Sequence, residues 1–316
     1  MKILTILLCF SILFLTGCSK RILNRVSDGL SGGSSNFIMN DDDPEFVGAA
    51  LPLALKMYEA LIEKNPRHAG IRAAAAAGFT GYAYAFIHYR ADTTSNEAER
   101  RRLFIRARNM YIRARDYGLS ALDLKYPNFR ADLPRNIDST LARVRIEDID
   151  LLYWTGMAWF GAFTSDKFNM RLALTLPQAT AIMHRVAELN PDHGNGALDE
   201  FFITFYGSMP PSMGGDPAKA RVHFERAVEL SEGQSIAAYI NYVMAVSVAQ
   251  QNGTEFDELL GTALRIRPDA VPNMRMLRIL QHERVRYLIE NRDLFILPPP
   301  EKHWEDYDEE GELIYD

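Results

Sequence analysis

The stretch Asp216 to Leu230, DPAKARVHFERAVEL, constrains the fold more than any other part of the chain. Asp216 is a good helix N-cap, because its carboxylate can accept a bond from a backbone N–H that lacks an intrahelical partner. Pro217 suits the first helical position, where a missing N–H costs nothing. Ala220, Phe224 and Ala227 follow at i, i+4 and i+7 and share one helix face. Small, large and small residues on one face let a helix nest closely against another.

The pattern recurs as Ala54/Tyr58/Leu61 before Pro66, Ala107/Tyr111/Ala114 before Gly118, Ala179/Met183/Val186 before Pro191, and Phe256/Leu260/Ala263 before Pro268. Where a proline follows, it stands twelve residues after the first member. This is the second-helix half of a tetratricopeptide repeat. Gly81 to Tyr84, Gly156 to Trp159 and Met244 to Val248 echo the first-helix half. The expected fold is all-α: degenerate tetratricopeptide-like helical repeats forming a compact superhelical domain over residues 41–297. No alternating Val/Ile/Thr run closes on an Asn-Gly turn, so nothing points to strands.

The N-terminus reads as a lipoprotein leader. Lys2 precedes an apolar run from Ile3 to Leu15, a length that suits a signal peptide better than a membrane span. Leu15-Thr16-Gly17-Cys18 resembles the bacterial lipobox, which implies a signal over residues 1–17 and lipidation of Cys18. The other cysteine, Cys9, lies inside the signal, so the mature body would carry no free thiol. Several acyl chains on one residue anchor stably. Ser19 beside the cysteine favours the periplasmic face of an outer membrane over the inner one. Residues 18–40 form a Gly/Ser-rich tether. Asp43 and Pro44 then cap and open the first body helix. Residues 298–316 are a Pro-led acidic tail.

A net charge of −6 argues against nucleic acid as a partner. Motif searches for phosphate loops, nucleophile elbows and metalloprotease helices find nothing. The histidines are scattered, and the neighbouring carboxylates Asp199 and Glu200 point about 100° apart on a helix. No cofactor, metal or catalytic group is expected, and the chain reads as a non-enzyme. Arg100 to Arg115 holds seven arginines, readable as a docking face or as stems covering apolar surface. The stretch Leu119 to Pro134 reads as a broken connection. Aromatic residues gather on the first-helix side, and Tyr84, Trp154, Trp159, Phe202 and Tyr242 are the candidates to line a groove or pore for an apolar ligand. The competing reading makes them core rings.

Several segments together resemble the T-component lipoproteins of tripartite ATP-independent periplasmic (TRAP) transporters. They are Leu15 to Cys18, Asp41-Asp42-Asp43-Pro44-Glu45, Ala50 to Leu55, Gly78-Phe79 with Tyr82-Ala83-Tyr84, and Tyr153-Trp154 with Trp159. Glu200-Phe201-Phe202, Gly214 to Pro217, His223 to Ala227 and Ile266 to Asp269 complete the set. The resemblance implies a periplasmic lipoprotein that trimerises, carries an apolar pore, pairs with the transporter's solute-binding protein and handles a hydrophobic small molecule. It supplies no catalytic residues. A repeat scaffold for envelope assembly, without ligand, is the alternative.

Overall fold

A computed structural model describes residues 36–298. The signal, Cys18, nearly all of the tether and the tail after Pro298 lie outside the described residues. Those residues are helical throughout, with no strand among them.

The body begins with α1, Pro44–Lys64. Asp43 caps it through a bond from Phe46 N at 2.9 Å, as the Asp-Pro signal predicts. Four helical hairpins follow. The first pairs α2, Ala69–Tyr82, with α3, Glu97–Lys125. The second pairs α4, Ile149–Thr164, with α5, Leu176–Leu189. The third pairs α6, Ala197–Ser208, with α7, Pro217–Leu230. The fourth pairs α8, Ile236–Tyr242, with α9, Gly253–Arg265. Helix α10, Arg275–Glu290, comes last.

The repeated triplets do the packing expected of them on four of the five helices. Ala107/Tyr111/Ala114, Ala179/Met183/Val186, Ala220/Phe224/Ala227 and Phe256/Leu260/Ala263 are all buried. On α1 the register differs by one. Ala54 is exposed, and the helix buries Val47, Leu55 and Ile62 instead. Helix α1 packs chiefly on α2, with α10 and the Tyr117 and Arg113 side chains of α3 as further neighbours, and that arrangement sets its inward face.

The connection expected over Leu119 to Pro134 is also corrected, because α3 continues to Lys125. Gly118 does not end the helix; it admits Thr155 of α4, whose Oγ1 would stand 2.2 Å from an added Cβ. Beyond it Leu119, Ala121 and Leu122 are buried, so the helix gains by continuing.

Two first helices widen into π-helical turns. Helix α2 runs on through Ala83–His88 and a last helical stretch, Tyr89–Thr93, while α8 runs on through Val243–Ser247. Such turns shift side chains out of the regular register and often mark functional sites. Helix α10 then folds back across the array. It packs on α8 and α9, and also on α1 and on Tyr89–Thr93. Asn40 donates to Asn273 Oδ1 at 2.8 Å, and Asp42 pairs with Arg275. The last helix is thereby fastened to the first hairpin.

Candidate functional site

The five aromatic candidates do not form one surface. Trp159 is buried, with Nε1 donating to Thr175 Oγ1 at 2.9 Å and the Arg115 guanidinium 5.2 Å from its ring. Phe202 is buried between the rings of His184 and His223, at 5.1 and 4.8 Å. Tyr242 is buried against Phe224, with Arg221 over its other face. Tyr84 and Trp154 keep accessible surface. Trp154 meets Tyr153 edge-on at 5.3 Å.

Tyr84 leads to the site. It stands on the π turn of α2 and hydrogen-bonds Arg284 of α10. Arg284 Nη2 lies 3.0 Å from Asp92 Oδ2. One helical turn before Asp92, His88 Nε2 lies 3.9 Å from its carboxylate. On its other side, His88 Nδ1 lies 3.4 Å from both the Tyr111 hydroxyl of α3 and Ser165 Oγ at the end of α4. Glu200 of α6 interacts electrostatically with both Tyr84 and Tyr153. Its Oε1 accepts from Ser235 Oγ at 2.5 Å, and its backbone carbonyl accepts from Asn241 Nδ2 at 3.4 Å.

These groups gather where the end of α2 meets α3, α4, α6 and α10. Tyr84, His88, Asp92, Glu200 and Arg284 all retain accessible surface. Burial dominates the ionisation of four groups here: it raises Tyr84 and Tyr153, lowers His88, and lifts Glu200 to about 7 against the Ser235 bond. At neutral pH Glu200 therefore stands near the midpoint of its titration. The cluster holds phenols, a neutral imidazole, one compensated ion pair and a half-neutral carboxyl.

The adjacent carboxylates go separate ways, as helix geometry requires. Asp199 is buried on the α7 side, where Oδ1 meets His223 Nδ1 at 2.7 Å and Oδ2 meets Arg226 Nε at 3.3 Å. Sequence reasoning missed His88, Asp92 and Arg284, which are distant in the chain; the π turn that aims His88 leaves no compositional mark. Among the described residues no group of three or more His, Cys, Asp or Glu is placed to hold a metal ion, and no helix is long and apolar enough to cross a membrane.

The arginines of α3 are largely committed within the chain. Arg100 donates to Thr94 O, Arg102 pairs with Glu99, Arg108 with Asp166, Arg113 with Glu59 and Arg115 with Asp116. That favours the reading of stems laid over apolar surface.

The described body is an all-helical array of hairpins with its last helix folded back across it. The chain belongs to the TRAP transporter T-component family, whose model matches residues 40–295. It is also 33% identical over 259 residues to an uncharacterized protein of Treponema pallidum (strain Nichols), covering 78% of this chain and 79% of the relative. The family makes it an accessory component of the TRAP transporter system.

Proposed function

We propose that this chain is a non-enzymatic periplasmic lipoprotein that docks a TRAP solute-binding protein and holds an apolar ligand. The family match over nearly the whole described body carries this reading. The hairpins are degenerate tetratricopeptide-like units wound into a superhelix, supported by the buried triplets on four second helices. Cys18 is the lipid anchor, and the outer membrane's periplasmic face is the location. The body works as a homotrimer, and nucleic acid has no part in its function.

A recess between α2, α4, α6 and α10 is the ligand space. Tyr84 and Trp154 line it, while Trp159, Phe202 and Tyr242 support its walls. An apolar ligand gains about 25 cal/mol for each Å² it buries there. The test is recovery of the lipidated protein from membranes, with mass spectrometry of proteins and extracted small molecules. Co-recovery of a solute-binding protein and an apolar molecule is the expected result. Envelope-assembly proteins alone, with no small molecule, would replace this reading by a ligand-free scaffold.

A further inference from the structure

Two apolar patches on the body have no cover among the described residues. The first is the outer face of α1. Phe46, Leu53 and Met57 are 66%, 70% and 53% exposed, at i, i+7 and i+11. Ala49, Ala50 and Ala60 fill the same stripe and are exposed as well. A helix normally turns one apolar face to the core and a polar face to water. Helix α1 already gives Val47, Leu55 and Ile62 to the core. The small residues between the large ones would let another surface approach its backbone closely.

The second patch is the connection from α4 to α5. Phe168, Met170 and Leu174 are 101%, 72% and 73% exposed. This loop is a built feature. Asp166 Oδ2 accepts from Arg108 at 2.6 Å and from Asn169 Nδ2 at 3.1 Å. Asn169 caps the short helix Met170–Leu174, Leu172 is plugged into the core, and Thr175 holds the Trp159 indole. A segment tied down at so many points yet presenting three large apolar side chains is arranged for contact. Clustered apolar exposure of this kind marks interaction surfaces, whereas isolated exposed residues do not.

The two patches hang on different parts of the body, α1 on α2 and the loop on α3 and α4. Their rims are complementary. Lys167 and Arg171 flank the loop's apolar tip and pair with no acid among the described residues. Asp41, Asp43 and Glu45 precede Phe46 at the start of α1, and none of the three has a cationic partner there. The start of α1 and the loop thus set apolar side chains beside unpaired charge of opposite sign.

We propose that the outer face of α1 in one copy docks on the Phe168–Leu174 loop of a second copy, with Glu45 meeting Lys167 and Arg171. Two unlike patches make a head-to-tail contact, which generates a ring when the rotation closes. That the ring holds three copies rests on the trimer in the proposed function; the choice of surfaces rests on the patches alone.

The chain from Ser19 onward contains no cysteine of its own, which makes the test clean. Leu53→Cys and Met170→Cys are introduced singly and together, and a short bis-maleimide is added. The double variant should give a denaturing-gel ladder that stops at three copies, and neither single variant should cross-link. A ladder from Leu53→Cys alone would show a two-fold contact and overturn the proposal. So would no ladder from a double variant that light scattering shows to be trimeric. A monomeric mass would sink the trimer itself, a separate result. Lys167→Glu with Arg171→Glu should weaken assembly at least tenfold, and adding Glu45→Lys in the same chain should recover it.

Discussion

Arg284 and Asp92, 192 positions apart, meet at 3.0 Å and join the last helix to the end of the first hairpin. Both side chains are largely shielded, at 16% and 28% exposure. Asp92→Asn would leave the guanidinium without its counter-charge in a poorly solvated place. The expected cost is about 2 kcal/mol, between an exposed pair and a fully buried one. Arg284→Met together with Asp92→Asn should cost less than the two single changes combined, because neither charge is then stranded. Urea melts of the four proteins give the coupling, and additive losses would show that the pair does not hold the last helix to the first hairpin.

Glu200 gives the body a pH dependence of known sign. Its carboxyl titrates near 7 in the folded chain, against 4.5 for an unhindered glutamate. The folded state therefore keeps the proton that the unfolded state releases. Stability from this group is fully present below pH 4.5, declines as pH rises, and is lost above 7. The span is on the order of 3 kcal/mol. Glu200→Gln should flatten the fall in melting temperature between pH 5 and 8. An unchanged slope would mean that another group sets it.

Gly118 sets two effects against each other. Alanine is favoured over glycine inside a helix by about 1 kcal/mol. Its Cβ, however, would stand 2.2 Å from Thr155 Oγ1 and 3.0 Å from Thr155 Cβ. Thr155 is fully buried and tied to Leu151 O at 2.6 Å, so it cannot swing aside cheaply. Overpacking of this kind costs about 1–3 kcal/mol. The clash should win, and Gly118→Ala should be destabilised by about 1 kcal/mol in denaturant melts. A gain in stability would show that α3 and α4 can move apart freely.

The second helices were readable because a single face must satisfy a close partner, and that demand falls on residues three and four apart. Tyr111, Met183, Phe224 and Leu260 all sit where the period places them. The first helices were less legible. Trp159, Phe202 and Tyr242 look like ligand groups by type, yet a ring is equally at home in a core, and these three are buried. The cluster escaped notice for a different reason. Arg284 and Asp92 meet only because α10 crosses back over the array, and no local pattern encodes a return from the far end of the chain. On α1 the triplet rule failed because that helix meets α2 chiefly, with α10 at its side, rather than the neighbours of an internal second helix.

Trp154 and Trp159 stand five residues apart on α4 and should respond in opposite ways. Trp159 fills the core and satisfies its indole through Thr175. Trp159→Ala removes that packing and should cost about 3–5 kcal/mol. Trp154 is only partly covered and rests edge-on against Tyr153, which interacts with Tyr84 and Glu200 in the cluster. Trp154→Ala should cost at most about half as much stability, because less of the ring leaves a packed site. It should instead weaken an apolar fluorescent probe such as N-phenyl-1-naphthylamine at least fivefold. Melting and probe titration on the same two variants separate the roles. Equal probe affinity in wild type and Trp154→Ala would remove Trp154 from the ligand space and leave Tyr84 alone of the five aromatic candidates there.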